Sequence, residues 1–222
     1  NNWPRLVQIA WQIHDIRGEL IEVKNYIIKP DGFTIPYNSE KIHGISTELA
    51  NKKGVPLNEV LSLFSNALNS TTYVVGHNIS FDNNIVGCEF LRSGLENLLT
   101  EKISIDTKEE GTEFCQLPGG RGGKYKWPNL SELYVKLFNE NFAEAHNASA
   151  DVEATTRCFL ELLRKEIIPL EKVGMNDSDF QNFIANNSST IQLIGLNVQP
   201  YEKEKAEKDE QVVLNDELVE ED

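Results

Sequence analysis

Two short stretches gather side chains able to bind a hard cation and to handle a proton. The first, GHNISFD at Gly76–Asp82, brings an imidazole (His77), an amide (Asn78), an aromatic ring (Phe81) and a carboxylate (Asp82) close together in sequence. The second, HNASAD at His146–Asp151, sets an imidazole ahead of a carboxylate, with the small residues Ala148, Ser149 and Ala150 between them to let a substrate or ion approach the backbone. Carboxylate oxygens are the ligands Mg²⁺ and Mn²⁺ prefer. An imidazole with an ordinary pKa of about 6.5 exchanges its proton near neutrality. Each stretch also has an ordinary alternative. The helix macrodipole favours a carboxylate in a first turn, and Asn is a common cap, so either stretch alone describes a helix start as well as it describes a ligand.

The elements needed to hold these stretches are legible around them. RLVQIAWQI at Arg5–Ile13 and LIEVKNYII at Leu20–Ile28 are apolar runs broken by Asp15–Gly18, which predicts an antiparallel hairpin. Short helical turns are expected at Ser39–Ile42 and Ser46–Ala50, separated by Gly44. Pro56–Leu68 places Val60, Leu61, Phe64, Ala67 and Leu68 at helical spacing behind a proline suited to a first turn. TTYVVG at Thr71–Gly76 reads as a short buried strand feeding a helix from Ile79 to Arg92, and ISID at Ile103–Asp106 as a second strand of the same kind. Periodicity is lost between Gly111 and Trp127, where GGRGG at Gly119–Gly123 predicts a flexible loop. Asn129 and Glu132 have capping-box spacing ahead of a helix, and Asn147–Arg164 reads as a longer one. Hairpin first, then helices alternating with short buried strands: this order predicts an α/β domain with a mixed sheet flanked by helices. Beyond Pro169 the pattern weakens to one helical segment, DSDFQNFIAN, one strand-like segment, TIQLIGLNV, and a solvated tail.

Charge and cysteine usage narrow the classes. Across 222 residues, 21 Lys+Arg face 35 Asp+Glu, a net charge of −14, and half of that excess falls in Tyr201–Asp222. A chain this acidic does not hold nucleic acid through a broad positive surface, although metal ions and a few local Lys and Arg can still meet phosphates. Arg121, Lys124 and Lys126 in and beside the glycine-rich loop are candidates for that contact, but a flexible solvated linker is the plainer description. Trp3, Trp11 and Trp127 are expected to pack rather than to stack on bases. The three cysteines, Cys88, Cys115 and Cys158, have no C-x-x-C spacing and read as free thiols of a reducing compartment, which makes a cytoplasmic location the default. No apolar run is long enough to span a membrane, and no signal peptide is evident, although Asn1 is not Met.

Taken together and in order, these stretches resemble the DEDDh-type 3′–5′ exonucleases, the DnaQ-like group that contains the proofreading epsilon subunit of DNA polymerase III, on an RNase H-like fold. His77, Asn78, Phe81 and Asp82 match H-N-x-x-F-D, the second motif of the group, and His146 and Asp151 match its third, H-x4-D. IHGIS at Ile42–Ser46 is similar to the segment that lines the 3′-terminal nucleotide, and KWPNLSELYVKLF at Lys126–Phe138 to the segment before the third motif. The resemblance spans Arg5–Arg164. It implies metal ligation by Asp82 and Asp151, proton removal from the attacking water by His146, and substrate contact by His43, Gly44, Ile45, Asn78 and Phe81. It further implies two Mg²⁺ or Mn²⁺ ions and the 3′ end of single-stranded DNA as substrate, with RNA left open and a DNA polymerase as a candidate partner.

One departure accompanies the match. The group's first motif, D-x-E on the first strand, does not occur before Arg5, and RLVQIAWQI is like the strand that follows it; Asp106 in SIDT is similar to the group's structural D-T position. The expectation is a mixed sheet missing its first strand, with an exonuclease-like domain over 1–168, a C-terminal extension over 169–200 and an acidic, disordered tail over 201–222. The parent protein is expected to be a metal-dependent 3′–5′ exonuclease releasing nucleoside monophosphates. The alternative is a catalytically inactive exonuclease-like module that binds a polymerase or other partner.

Overall fold

Strands β1 (Gln8–His14) and β2 (Leu20–Ile27) form the antiparallel hairpin expected from the two apolar runs, with Trp11 opposite Lys24 and a register shift between Ile13 and His14. The computed structural model describes residues 3–140 and 148–187. At the hairpin turn the Asp15 carboxylate accepts from the backbone N–H groups of Arg17 and Glu19. Two short helices follow, α1 (Tyr37–His43) and α2 (Thr47–Lys53), then α3 (Leu57–Asn69), whose Val60, Leu61, Ala67 and Leu68 are buried as the helical spacing requires. Strand β3 (Tyr73–Gly76) leads into α4 (Ile79–Ser93). Strand β4 (Ile103–Asp106) pairs parallel with β3 and runs straight into the short helices α5 (Thr107–Glu110) and α6 (Thr112–Cys115).

Helix α7 (Leu130–Phe138) begins at the expected capping box: the Asn129 side chain accepts from Glu132 N–H and the Glu132 side chain accepts from Asn129 N–H. Helix α8 (Ala148–Arg164) packs on both β1 and β3, and α9 (Asp177–Asn186) closes the described chain. Buried residues sort into a cluster of Trp11, Val60, Leu61 and Phe90 under the hairpin, a larger one in which Leu133, Cys158, Leu162, Phe180 and Phe183 pack around Ile105, and a small third one of Ile35, Ile45 and Ala50. Phe183 is fully buried, so α9 belongs to the second core.

The mixed sheet is divided. The β1–β2 pair and the β3–β4 pair share no hydrogen bonds, and no strand bridges them among the described residues. Helix α8 lies across both pairs. The division agrees with an RNase H-like mixed sheet lacking one strand. The TIQLIGLNV segment and the acidic tail lie outside the described residues. The stretch from Gly111 to Trp127 departs from the aperiodic loop expected. It holds α6 and a single 3₁₀ turn at Arg121–Gly123, and its two ends meet at Leu117 and Lys126, where Lys126 N–H donates to Leu117 O at 2.8 Å.

Candidate active site

Parallel pairing sets Gly76 opposite Asp106, so β3 and β4 end side by side and release their chains at one edge. Gly76 leaves little room there: a Cβ would lie 2.5 Å from Ile79 Cδ1 and 3.0 Å from Ile79 Cβ, so Ile79 would have to shift. The next residue, His77, is stitched down. Its Nδ1 is 3.0 Å from Thr107 Oγ1 and its Nε2 is 3.1 Å from Pro128 O. Burial first of all lowers its pKa; Nε2–H donates to the Pro128 carbonyl, while Nδ1 faces Thr107 Oγ1, for whose single hydroxyl proton Gly76 O also competes at 3.1 Å. His77 is thus a tie between two strand ends and the segment entering α7, rather than a free acid or base.

Asn78 adopts the left-handed conformation, φ 66°, which Asn tolerates better than most residues, and this turn sends the chain into α4. Asp106 stabilises the turn from the neighbouring strand. Its carboxylate accepts from Asn78 N–H at 2.8 Å and Ile79 N–H at 3.2 Å, and from Lys108 N–H at 3.0 Å, so one buried side chain caps the starts of both α4 and α5. Lys108 completes the cluster, donating to Asn78 Oδ1 at 2.8 Å and lying 3.9 Å from Asp106 Oδ2.

Asp82 follows in the first turn of α4 and Asp151 in the first turn of α8. The protein packed around the Asp82 carboxylate strips it of water, and the negative charges of Asp106 and Asp151 add to this, raising its pKa from 3.8 to about 6. Asp82 is nonetheless open to solvent on one side. Three carboxylates from two helix starts and a strand end therefore share one electrostatic neighbourhood with access from outside. A hard divalent cation relieves such crowding, and the oxygen chemistry of Asp82 and Asp151 suits one. Among the described residues, no three candidate ligands converge closely enough to hold an ion by themselves.

The remaining expected site residues are placed as follows. Phe81 is 46% exposed and meets Trp3 edge-on, ring centroids 5.9 Å apart. His43 ends α1, Gly44 follows in the left-handed conformation, and Ile45 is buried beside Ile35 and Ala50. His43 Nδ1 accepts from Ile45 N–H at 3.1 Å, while Nε2 is buried without a hydrogen-bond partner among the described residues. No hydrogen bond or ion pair ties His43, Gly44 or Ile45 to Asp82 among those residues. His146 lies outside the described residues.

The sequence profile of the RNase T family, described as Exonuclease, matches residues 4–159. The chain belongs to that exonuclease family. No curated protein matches it in sequence. Among solved structures, the exonuclease domain is similar to Escherichia coli exonuclease I in complex with a dA16 oligonucleotide, at TM-score 0.60 and 19% identity. It is likewise similar to the complex with a dT13 oligonucleotide, at TM-score 0.62 and 20% identity. Each alignment covers 80% of this chain and 41% of exonuclease I, so the chain spans about two fifths of that protein. The zinc-bound form of the same enzyme with single-stranded DNA aligns at TM-score 0.57 and 22% identity over 75% of this chain and 37% of that one. At this identity the likeness establishes the fold, and a DEDDh-type exonuclease domain accounts for the order of motifs.

Sequence patterns leave some participants in the exonuclease domain unmarked. Lys108 carries no signal because its Asn78 partner is 30 residues away, and Thr107 and Pro128, which fall in the segments matched by resemblance, gave no hint there of their tie to His77. Asp106 was legible only by resemblance, and its capping of two helices depends on the parallel register. Trp127 departs from the packing role expected of the tryptophans. Trp11 is buried at 8% exposure, whereas Trp127 is 59% exposed.

Proposed function

We propose that the protein is a metal-dependent 3′–5′ exonuclease that hydrolyses the terminal phosphodiester of single-stranded DNA and releases nucleoside monophosphates. One observation carries the reading: the Asp82 carboxylate, crowded by Asp106 and Asp151 yet open to solvent, holds its proton up to about pH 6 and is ready to exchange it for a cation. Asp82 and Asp151 would hold Mg²⁺ or Mn²⁺. Two such ions, when bound, would make a water nucleophilic near neutral pH and neutralise the leaving 3′ oxygen.

The chain's own groups divide the remaining work. Asp106 fixes the start of α4 and so the position of Asp82. Lys108 holds the Asn78 amide through its oxygen, leaving the Asn78 NH₂ group for a substrate acceptor. His43, Gly44, Ile45 and Phe81 are proposed to receive the terminal nucleoside, and the unpartnered Nε2 of His43 supports this for a ligand hydroxyl or phosphate oxygen. His146 is proposed to take the proton of the attacking water. Membership of the exonuclease family and the likeness to exonuclease I, solved with dA16 and dT13, support DNA as substrate. Free thiols at Cys88, Cys115 and Cys158 support a cytoplasmic setting. No helix among the described residues is long and apolar enough to cross a membrane.

The test is release of labelled monophosphate from 3′-labelled single-stranded DNA. Activity should require Mg²⁺ or Mn²⁺ and fall by about 10²-fold or more in Asp151→Asn, which removes charge that stabilises the transition state. Undiminished activity in chelator or in the Asn variant would refute it. A second reading is a non-catalytic exonuclease-like module that docks on a polymerase or other partner, favoured by the incomplete ligand set among the described residues. Binding without hydrolysis under the same conditions would select it.

A further inference from the structure

The loop from Leu117 to Trp127 is unlike the rest of this acidic chain. It carries Arg121, Lys124 and Lys126 interleaved with Tyr125 and Trp127 and holds no Asp or Glu. Its shape is fixed at both ends: Lys126 N–H closes it onto Leu117 O, and Pro128 O is held by the His77 ring. Inside it the backbone folds back on itself so closely that a Cβ on Gly120 would lie 2.2 Å from Lys124 O. Lys126 is paired with Glu132 at 2.7 Å, but Arg121 and Lys124 are exposed and form no ion pair among the described residues. Tyr125 is 38% and Trp127 59% exposed, an uncommon placement for two large rings in succession around a lysine.

Trp127 also borders the candidate active site. The Lys108 ammonium lies over its ring, 4.2 Å from the centroid, and the same ammonium donates to Asn78 Oδ1 at 2.8 Å. One lysine therefore joins the indole to the residue that opens α4, four positions before Asp82. The cation covers one side of the indole, and the rest of the ring stays open.

We propose that this loop is a docking strip for single-stranded nucleic acid, taking the nucleotides on the 5′ side of the terminal one. The proposal rests on the exonuclease reading for its direction: once a 3′ nucleotide sits beside Asp82, everything leaving the site is 5′ of the scissile bond. Arg121 and Lys124 meet phosphates, while Tyr125 and Trp127 offer faces on which bases of any identity stack. The surface is small, local and positive, as a chain with net charge −14 needs if it is to keep a polyanion beside its carboxylates.

Fluorescence anisotropy of a 5′-labelled oligothymidylate, with chelator present to prevent hydrolysis, reads the strip directly on the full chain. Trp127→Ala should weaken binding by about tenfold, Tyr125→Ala by a similar or smaller factor, and Trp127→Phe should keep most of the affinity because a ring remains. The double variant Arg121→Gln/Lys124→Gln should flatten the slope of log K against log salt by about 1.4, the contribution of two single-strand phosphates. Wild-type affinity in both Trp127→Ala and the double charge variant would overturn the strip, as would failure of the wild-type chain to bind the oligonucleotide. Displacement by poly-glutamate as readily as by unlabelled DNA would also overturn it, because the loop would then be a general anion patch. Failure of the exonuclease reading looks different: wild-type protein that binds, with these loop dependences, and never hydrolyses DNA in Mg²⁺ or Mn²⁺.

Discussion

Acidification should empty the candidate metal site well before ordinary carboxylates titrate. Asp82 holds its proton up to about pH 6, chiefly because surrounding protein removes water from it and secondarily because Asp106 and Asp151 repel its negative form. A cation needs that oxygen deprotonated, so proton and metal compete for it. With a pKa of about 6, roughly nine tenths of Asp82 is ionised at about pH 7 and roughly a tenth at about pH 5, which weakens apparent metal affinity about tenfold across that interval. A carboxylate at the ordinary 3.8 would lose only a few per cent, on the order of 0.05 of its affinity, over the same range. The assay is Mn²⁺ binding followed by electron paramagnetic resonance of the free ion as a function of pH, beside ¹³C shifts of labelled Asp carboxyls in metal-free protein. Asp106→Asn should move the Asp82 midpoint down but not back to 3.8, because burial is the larger cause. The effect on folding has the opposite sign from that of a salt-bridged carboxylate. A raised folded-state pKa contributes stability that is full below the unfolded value and is lost as pH rises through about 6. In a closed site that would be ~3 kcal/mol, and the open side of Asp82 screens it to ~1 kcal/mol. Equal Mn²⁺ affinity at the two pH values, or an Asp82 midpoint near 4, would refute the crowded-carboxylate account.

Three further outcomes are expected. Asp106→Ala removes the acceptor for the N–H groups of Asn78, Ile79 and Lys108 and should lower stability by ~2 kcal/mol or more in urea denaturation; a loss under ~0.5 kcal/mol would show that water caps both helices as well. Phe183→Ala, at a fully buried position of α9, should cost about 3 to 5 kcal/mol, and a change near zero would separate α9 from the core. His146→Ala should lower single-turnover cleavage by about 10² to 10⁴ while Mg²⁺ affinity is kept, and a matching loss of affinity would make His146 a ligand instead of the base.

The sequence exposes what is local and hides what is long-range. Hairpin, amphipathic α3 and the Asn129 capping box follow from spacing within a few residues, and the structure has them with bounds moved by one to three residues. Asp82 and Asp151 were both visible as carboxylates at helix starts, but their shared neighbourhood depends on α8 packing across both strand pairs, which no local pattern encodes. The same limit explains His77. A histidine beside a candidate ligand looks like chemistry until Thr107 and Pro128, far along the chain, are seen to occupy both ring nitrogens. Trp127 and its loop fail in the other direction: glycine richness signals an open linker, whereas the contacts that close it run from Lys126 back to Leu117 and from Pro128 to His77.

These long-range contacts form one mechanical unit. Asp106 holds the turn at Asn78, Lys108 joins that turn to Trp127, and His77 fastens the strand end to Pro128. Asp82 therefore stands on the same frame as the exposed basic and aromatic loop. Moving the loop relative to the carboxylates would break buried or charge-assisted hydrogen bonds, each more costly to lose than an exposed one. A strand end resting on the loop would accordingly meet the carboxylates at a fixed offset, the condition under which orientation contributes to rate. The sheet is divided between the β1–β2 and β3–β4 pairs, and helix α8 packs on both β1 and β3. Asp151 is carried by that helix and the frame is rooted at the end of β3, so whatever fills the gap between the strand pairs would meet both the helix that carries Asp151 and the strand from which the Asp82–Asp106–Trp127 frame starts.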